Sequence, residues 1–390
     1  MYAIKTMNHI APAGVDVLTD AGFQVGAEVV NPDGILVRSA SLHETEFNPA
    51  LRAIARAGAG TNNIPLERCS QSGIVVFNSP GANANAVKEL TIAALLMASR
   101  NLVGGAAWVR EQAEAGEDLS TAVEKGKSVF AGPEIAGKTL GVVGLGAIGV
   151  LVANAALKLG MEVYGYDPYL SVETALRLDR HVHCVQDCEQ LWRCADYITL
   201  HLPYMESTKH TINAQVLELT KPGVRVVNLA RGGLVDDAAM CAALSAGKVA
   251  RYVTDFPNNQ ILQAPNVVAF PHLGASTPES ELNCAVMAAK VLREYLENGN
   301  IQNSVNFPNL SMERGGLTRV CALHRNIPNM LLKLTTVLSG AGFNIEHMSN
   351  KARGEYAYTM IDLNAPVQEE SLKALRAVEG VFRIRLIQGK

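Results

Sequence analysis

The sequence predicts an α/β protein with parallel sheets, and three observations support this prediction. Short apolar runs with the length of strands alternate with helical stretches along most of the 390 residues. Hydrophobic residues make up 48% of the chain and charged residues 18%, which is typical of globular proteins and excludes disordered and low-complexity classes. At roughly 150 residues per domain, the length allows two or three domains.

The charge balance narrows the functional classes. The chain has 34 Lys and Arg against 37 Asp and Glu, a net charge of -3, so binding of nucleic acid by bulk charge is not expected. Residues 1–17 lack the apolar region of a secretory signal, and no run approaches the roughly 18 apolar residues of a membrane span. The seven cysteines include no C-x-x-C pair, which favours reduced thiols. We therefore expect a cytoplasmic protein. The charge balance is compatible with a small anionic substrate, because such a substrate needs only a local cluster of cations.

The predicted elements fall into three units. In the first hundred residues, strands are predicted at 35–37, 53–58 and 73–78. A buried helix is predicted at 86–99. The more polar segment 108–136 is typical of an exposed arm or connector. A second strand–helix series begins at Lys138, and its strands are predicted at 139–143, 162–167, 197–200, 224–229, 252–254 and 267–269. The remaining predicted features are a helix at 148–159, a helix at 278–298, a linker at 299–316 and a final strand–helix–strand–strand–helix–strand unit at 317–390.

A glycine motif predicts a dinucleotide site. Gly144, Gly146 and Gly149 form G-x-G-x-x-G between a predicted strand and a predicted helix, and Asp167 follows about 20 residues later, at the end of the next strand. These glycines permit the tight turn, the approach of backbone to a pyrophosphate and the packing of helix against strand. A carboxylate at position 167 favours NAD over NADP, since it binds the ribose hydroxyls and repels a 2′-phosphate. The sequence therefore predicts a Rossmann-like doubly wound domain that binds NAD.

Two further residues suggest hydride-transfer chemistry. Arg231 lies between a strand end and two glycines, and His272 lies just past another strand end. Both positions belong to the edge where the carboxyl ends of parallel strands line the ligand crevice. An arginine there can bind the carboxylate and carbonyl of an α-keto acid, and a histidine can take the hydroxyl proton as hydride leaves carbon. Each residue alone is more typical of a surface arginine or a core histidine, so the prediction depends on the fingerprint upstream.

The chain resembles the D-isomer-specific 2-hydroxyacid dehydrogenase family. The motifs that carry the resemblance, besides the glycine fingerprint, are Arg56–Asn63 (RAGAGTNN), Asn78–Gly81 (NSPG), Ala230–Gly233 (ARGG) and Pro271–Thr277 (PHLGAST). The resemblance implies an α/β fold with two Rossmann-like doubly wound domains, the first discontinuous, and a C-terminal ferredoxin-like ACT domain. The implied boundaries are 1–98 with 283–305 for the substrate-binding domain, 99–282 for the NAD-binding domain and 316–390 for the ACT domain.

The resemblance also implies roles for individual residues. Arg231 and His272 become the catalytic pair. The implied cofactor contacts are Ser79, Gly144, Gly146, Ala147, Ile148, Gly149, Asp167, Leu202, Leu229, Ala230, Arg231, Asp255, His272, Leu273, Gly274 and Ala275. The implied substrate contacts are Arg38, Arg56, Ser79, Gly81, Arg231 and His272. Arg38 is equally typical of a surface arginine at a strand end. Lys125 and Lys127 can reach a neighbouring subunit's site, although a solvated face is the simpler interpretation.

One position departs from the family pattern. The family pairs its histidine with a glutamate a few residues after the aspartate that corresponds to Asp255, but here the glutamate positions are Asn259 and Gln260. An amide can orient an imidazole but supplies no charge. Three consequences stay open: a shifted pH optimum, a carboxylate supplied from elsewhere, or activity that is reduced or lost.

The C-terminal unit resembles an ACT domain, a module that binds amino acids between paired copies. His324, Asn326 and Asn344 match the spacing in serine-responsive members, while Asn329 replaces a glycine that the family usually has. An L-serine effector and a homodimer or homotetramer are therefore expected. The alternative is that these are turn and cap residues in a module that serves only oligomerisation.

The resemblance implies NAD-dependent oxidation of 3-phospho-D-glycerate to 3-phosphohydroxypyruvate, the first step of L-serine biosynthesis. Two alternatives stay open: a glyoxylate or hydroxypyruvate reductase of the same family, and a non-catalytic NAD-sensing regulator. A metal is not expected, even though His181, His183, Cys184 and Cys188 lie close together in the sequence, because structural zinc sites usually use C-x-x-C or H-x-x-x-H pairs.

Overall fold

The structure is a computed structural model that describes residues 1–388. Its strands are β1 (Ala3–Met7), β2 (Gln24–Gly26), β3 (Gly34–Val37), β4 (Ala53–Arg56), β5 (Val75–Phe77), β6 (Thr139–Val143), β7 (Glu162–Tyr166), β8 (His183–Cys184), β9 (Tyr197–Leu200), β10 (Val224–Asn228), β11 (Val249–Thr254), β12 (Val267–Ala269), β13 (Thr318–Arg325), β14 (Ile345–Arg353), β15 (Tyr356–Leu363) and β16 (Val381–Gln388). Its helices are α1 (Pro12–Thr19), α2 (Leu66–Gln71), α3 (Ala84–Ser99), α4 (Leu102–Glu114), α5 (Leu119–Gly126), α6 (Ala147–Lys158), α7 (Val172–Arg177), α8 (Cys188–Cys194), α9 (Ala214–Leu219), α10 (Asp237–Ser245), α11 (Pro278–Asn298), α12 (Met330–Gly340) and α13 (Glu369–Arg376).

The chain forms two compact units, one from Met1–Asn83 with Glu281–Lys390 and one from Ala84–Ser280. The sequence-based boundary at 98/99 lies one helix later than the change between units at 83/84. The reason is that α3 packs against α6, β10 and β11, all of which belong to the second unit. The division into three domains remains a prediction.

The first unit contains a five-stranded parallel sheet with the order β2-β1-β3-β4-β5. The apolar strands β3 and β5 are buried along their whole length, as expected for strands covered on both faces. The inner strand β1 has no clear strand pattern in the sequence, because Lys5 and Thr6 interrupt its apolar residues. Arg38, Arg56 and Ser79 follow or end neighbouring strands, so the sheet brings these residues to one edge.

The second unit contains a seven-stranded parallel sheet with the order β12-β11-β10-β9-β6-β7-β8. The strand order reverses between β6 and β9, which makes that point the ligand-binding crevice expected of a doubly wound sheet. The fingerprint follows β6, Asp167 follows β7, and Arg231 and His272 follow β10 and β12. All four positions therefore lie at the carboxyl edge of one sheet.

The C-terminal part of the first unit has the predicted strand–helix–strand–strand–helix–strand order. Its antiparallel sheet has the order β14-β15-β13-β16. A fully buried ion pair anchors it: Arg319 Nε donates to Asp362 at 2.7 Å, and the guanidinium also donates to the carbonyls of Asn298, Met312 and Glu313. The segment predicted as a linker is thus bonded to the sheet, and its Phe307 is fully buried.

The segment predicted as an arm or connector is helical. Helices α4 and α5 contain no buried residue, and they begin at the side-chain caps Asn101 and Asp118. Within the described residues, no single helix is long and apolar enough to cross a membrane, although the bent pair α3 and α4 meets the length and composition test together. The cytoplasmic location stays a prediction.

Candidate functional site

The glycine fingerprint forms a turn that leaves room for a phosphate. Gly144 has a φ of +93°, and a Cβ on it would lie 2.7 Å from the carbonyl oxygen of His201. A Cβ on Gly149 would lie 1.9 Å from the carbonyl oxygen of Gly144. Around Gly146, by contrast, a Cβ would meet no atom within 4 Å among the described residues. The turn is therefore closed toward the protein and open on the side where a pyrophosphate would bind.

Helix α6 supplies the donors for that phosphate. Gly146 is its N-cap residue and offers no side-chain cap, so the first backbone N–H groups, including those of Ala147 and Ile148, have no partner within the helix. Asp167 accepts from the backbone N–H of Leu145 at 3.0 Å and from that of Tyr169 at 2.9 Å. These bonds orient the carboxylate and leave lone pairs for ribose hydroxyls. The residues present fit the pyrophosphate and ribose of NAD.

Arg231, Asp255 and His272 follow three strands that are neighbours in the sheet. Asp255 comes directly after β11, and the other two come three residues after β10 and β12. Phe256 contacts residues on both sides of the site. The centroid of its ring is 4.6 Å from that of the His272 ring, and a Cβ on Gly232, the neighbour of Arg231, would lie 3.5 Å from the Cβ of Phe256. The parallel sheet thus brings a cation, a carboxylate and an imidazole together.

Hydrogen bonds from a buried asparagine fix the backbone at Arg231. Asn228 is fully buried, and its amide donates to the carbonyl of Arg231 at 2.8 Å and accepts from the N–H of Ala230 at 3.2 Å. The Arg231 side chain itself is exposed and donates to the carbonyl of Ala230 at 2.6 Å. Its other N–H groups point to no protein acceptor among the described residues, so a planar anion can bind there.

Asp255 is the least satisfied polar side chain of the site. It is 2% exposed, and neither carboxylate oxygen has a hydrogen-bond partner of ordinary geometry among the described residues. Burial raises its pKa above the ordinary value, and the charge of His272, the backbone N–H groups of Gly274 and of Asp255 itself, and the charge of Arg231 partly offset this rise. A buried carboxylate with so few donors interacts strongly with nearby cationic groups.

The positions of the missing family glutamate lie in an exposed loop. Asn259 and Gln260 are both exposed. Asn258 organises this loop, because its side chain accepts from the N–H groups of Gln260 and Ile261 and donates to Asp237. No amide from the loop bonds to His272 in the described structure, which leaves Asp255 as the carboxylate associated with the imidazole.

The other predicted cofactor contacts of the second unit also lie at the carboxyl edge of its sheet. They are Leu202 after β9, Leu229 and Ala230 after β10, and Leu273, Gly274 and Ala275 after His272. Sequence analysis missed His201, which closes the fingerprint turn with its carbonyl group. Burial lowers the pKa of His201 to about 4, and its ring lies 3.1 Å from the Thr199 hydroxyl. The only sequence signal for His201 was its place just past a strand end.

The residues predicted on the first sheet are already bonded within their unit. Arg38 pairs with Glu281 at 2.6 Å, and Arg56 donates to the carbonyls of Arg38 and Gly60. Ser79 is fully buried, with its hydroxyl 2.8 Å from the carbonyl oxygen of Cys284 and 3.1 Å from that of Arg56. Gly81 has a φ of +76°. The structure therefore gives Ser79 a structural bond that the sequence did not predict, and it gives Arg38 a carboxylate that a substrate anion would have to displace.

The predicted effector residues do not meet within one chain. His324 is buried, with its ring nitrogens 2.8 Å from Thr359 Oγ1 and from the carbonyl of Arg325, and burial lowers its pKa. Asn326 follows the end of β13, where Arg325 pairs with Tyr356, whereas Asn344 precedes the opposite end, where Ile345 pairs with Leu363. Eight residues of strand place the two asparagines roughly 25 Å apart. Asn329 adopts a φ of +63° at the start of α12, a conformation that Asn tolerates.

The remaining polar candidates have ordinary surface partners. His181 contacts Asp179 at 2.8 Å, His183 lies 3.7 Å from Glu162, and Lys127 pairs with Glu124. Lys125 is at the exposed end of α5. Within residues 1–388, no group of three or more His, Cys, Asp or Glu side chains is arranged to hold a metal ion.

Comparison with known proteins assigns the chain to a family. The profile described as "D-isomer specific 2-hydroxyacid dehydrogenase, NAD binding domain" matches residues 92–274. A D-3-phosphoglycerate dehydrogenase of Escherichia coli K12 is 33% identical over 361 residues, which cover 89% of this chain and 84% of that protein. The chain belongs to the D-isomer-specific 2-hydroxyacid dehydrogenase family. The family assignment, the α/β fold and the NAD cofactor predicted from the sequence are thereby confirmed.

Other members of the 2-hydroxyacid dehydrogenase family match to different extents. A D-3-phosphoglycerate dehydrogenase of Methanocaldococcus jannaschii is 35% identical over 320 residues, and the chain spans 57% of that protein's length. The NAD+-bound 3-phosphoglycerate dehydrogenase of Entamoeba histolytica has a TM-score of 0.62 at 26% identity, covering 79% of this chain and 99% of that one. A glyoxylate reductase of Paecilomyes thermophila has a TM-score of 0.64 at 26% identity, covering 78% and 98%. The fold alone therefore does not discriminate between these substrates.

Proposed function

We propose that the chain is an NAD-dependent dehydrogenase that oxidises 3-phospho-D-glycerate at C2 to 3-phosphohydroxypyruvate, the first step of L-serine biosynthesis. The observation that carries this proposal is the placement of Arg231, Asp255 and His272 on three adjacent strand ends, beside a dinucleotide fingerprint that fits NAD. The choice of substrate is supported by the names of relatives that are 33% and 35% identical to this chain.

Arg231 and His272 carry the chemistry in this proposal. NAD, when bound, accepts the hydride that leaves C2. The exposed guanidinium of Arg231 binds the substrate carboxylate and the C2 oxygen in a forked geometry, which orients C2 and polarises its C–O bond. The imidazole of His272 takes the proton of the C2 hydroxyl as the carbonyl forms. Positioning of these groups supplies much of the rate acceleration.

Asp255 takes the electrostatic role of the missing glutamate. The imidazole becomes positively charged when it accepts the substrate proton, and the buried carboxylate of Asp255 stabilises that charge. Neither of its oxygens has a hydrogen bond of ordinary geometry in the described structure, and the charge of His272 acts on this carboxylate. Of the three alternatives for the missing glutamate, this proposal adopts the carboxylate from elsewhere.

The substrate phosphate binds to arginines of the first sheet. Arg38 and Arg56 stand at one edge of that sheet, and both are only partly buried. Arg38 must break its ion pair with Glu281 before it can bind the phosphate. We therefore expect Arg38 to contribute less to phosphate binding than Arg56.

L-Serine inhibits the enzyme through paired C-terminal modules. Because Asn326 and Asn344 lie at opposite ends of the β13–β15–β14 sheet, one chain cannot supply both to a ligand as small as serine. A site that contains both needs two copies, so regulation implies at least a homodimer.

The second candidate function is reduction of glyoxylate or hydroxypyruvate, which the similarity in fold to a glyoxylate reductase favours.

Steady-state kinetics test the proposed dehydrogenase activity. We expect NADH formation from 3-phospho-D-glycerate by the wild type, and a roughly hundredfold lower kcat/KM in Arg231→Gln. The exposed-helix control Arg177→Gln keeps the wild-type value. Faster NADH consumption with glyoxylate would select the reductase, and no turnover with any hydroxyacid or keto acid would select a non-catalytic regulator.

A further inference from the structure

A cavity in the first unit is lined by four arginines. It has a volume of about 570 Å³ and lies between the loop 49–52, helix α13 and the edge strand β16. Arg52, Arg376, Arg383 and Arg385 line it, and no aspartate or glutamate does so among residues 1–388. The cavity is separate from Arg231, Asp255 and His272, which all belong to the second unit.

Two of these arginines are held without a counter-ion. Arg385 is 7% exposed and donates to the carbonyls of Tyr295 and Leu296. Arg383 donates to the carbonyls of Leu51 and Ser72. Carbonyl groups satisfy donors but do not neutralise a charge, and buried charges are normally paired with an opposite one.

The charges in the cavity also repel one another. Burial lowers the pKa of Arg383, Tyr295 partly offsets this effect, and the neighbouring guanidinium groups of Arg385 and Arg52 lower the pKa further. The pKa of Arg385 is instead raised, because the interaction with Tyr295 and other buried groups outweighs its burial. Each of the outer arginines forms an ion pair with a carboxylate that lies outside the cavity lining: Arg52 lies 3.4 Å from Asp33 and Arg376 lies 3.7 Å from Glu369. An anion in the cavity would relieve the repulsion and would receive N–H groups that now have no partner.

The donor geometry indicates the class of anion. A guanidinium carries five N–H groups, of which Arg383 and Arg385 each use two in the bonds described above. The remaining N–H groups lie in the plane of each guanidinium and can donate two parallel hydrogen bonds to two oxygens of a phosphate. The walls also include Leu372 and Phe382, so the cavity offers apolar surface to a short carbon chain attached to the phosphate.

We propose that this cavity binds a small anion through its phosphate group, either inorganic phosphate or a phosphorylated metabolite of a few carbons. The binding site links helix α13 and strand β16 of the C-terminal module to the loop before β4 of the first sheet. A bound anion therefore ties the two parts of the first unit together. The proposal does not depend on the dehydrogenase reaction.

Isothermal titration calorimetry on the full chain tests this proposal. The probes are inorganic phosphate and glycerol 3-phosphate, each at constant ionic strength. Arg376 is the residue to change, because its side chain is 54% exposed and its loss should not unfold the protein. Arg376→Gln should weaken binding about tenfold, and Arg376→Glu should abolish it at this site, since a hydrogen bond to a charged group is removed and then replaced by repulsion. A preference for glycerol 3-phosphate identifies an organic phosphate, and equal affinity identifies the free ion.

The matched control is Arg193→Gln, which also removes an exposed helix arginine paired with a glutamate of its own helix. It should bind both probes as the wild type does. The proposal is overturned if the wild type binds neither probe at millimolar concentration, or if the Arg376 variants titrate like the wild type while their circular dichroism melts remain unchanged. Either result leaves the proposed dehydrogenase activity untouched, because NADH formation is measured separately.

Discussion

Asp255 is the residue at which stability and activity are expected to conflict. Its carboxylate is buried with no hydrogen bond of ordinary geometry among the described residues, so the ionised form lowers the stability of the fold. Because burial raises its pKa above 3.8, the folded protein holds this proton more tightly than the unfolded chain does. The resulting penalty is absent at pH values below 3.8, develops between 3.8 and the raised pKa, and is fully present above the raised pKa.

Asp255→Asn should therefore stabilise the protein by about 1 kcal/mol at pH 7 and by less near pH 4. The same variant should lower kcat by about tenfold or more, since the charge on His272 loses its partner. Thermal melts at the two pH values and steady-state NADH formation measure both effects. A variant that is less stable but fully active would contradict the role given to this carboxylate.

Asn259 offers a test of the departure from the family pattern. Asn259→Glu places a carboxylate where the family has one, on a loop whose turn is held by Asn258 and would remain intact. We expect a higher kcat/KM or a pH profile displaced from that of the wild type. Asn259→Gln, which adds the same length without charge, serves as the control. Identical profiles for all three proteins would contradict the expectation that a carboxylate at position 259 acts on His272.

At the level of the secondary-structure elements, two glycines of the fingerprint turn have different roles: Gly146 leaves room for the cofactor, and Gly149 permits the fold. A Cβ at Gly146 meets open space, whereas a Cβ at Gly149 would overlap the carbonyl oxygen of Gly144. Gly146→Ala should keep the melting temperature of the wild type and weaken NADH binding about tenfold or more, because the methyl group occupies the place of the pyrophosphate. Gly149→Ala should instead lower the melting temperature. Fluorescence titration with NADH and thermal melts distinguish the two, and a Gly146→Ala protein with unchanged NADH affinity would refute the location of the phosphate site.

The elements that define the fold could be predicted because their patterns are local. The runs 34–37 and 140–143 are continuously apolar, and the helix predicted at 278–298 has the observed bounds. The strand Ala3–Met7 was missed because its sequence mixes polar and apolar residues, and only the sheet around it makes it a strand.

The candidate active site could be predicted only where its residues belong to local sequence motifs. Arg231 and His272 carry recognisable motifs at strand ends, and the sequence places them at one sheet edge. The isolation of Asp255, the pairing of Arg38 with Glu281 and the buried hydroxyl of Ser79 depend on residues distant in sequence. Such contacts arise from packing, and spacing along the chain does not indicate them.

At the scale of the whole molecule, regulation requires more than one copy. Asn326→Ala and Asn344→Ala should each abolish inhibition by L-serine, while catalysis continues. Since the two asparagines lie at opposite ends of the sheet of one chain, a mixed assembly of the two variants contains some sites with both asparagines intact. We expect such mixtures, formed by co-expression, to regain partial inhibition. If either variant alone is inhibited like the wild type, the proposed serine site is wrong.

In the proposed reaction, NAD oxidises a phosphorylated 2-hydroxyacid at a site formed by Arg231, Asp255 and His272. The most direct measurement is the ratio of kcat/KM for 3-phospho-D-glycerate to that for D-glycerate, which has the same carboxylate and C2 hydroxyl but no phosphate. We expect NADH formation with both and a ratio of about a hundred or more, because the phosphate adds charge-assisted hydrogen bonds to the arginines of the first sheet that the smaller substrate cannot make. A ratio near one, or no NADH from 3-phospho-D-glycerate, would contradict this proposal.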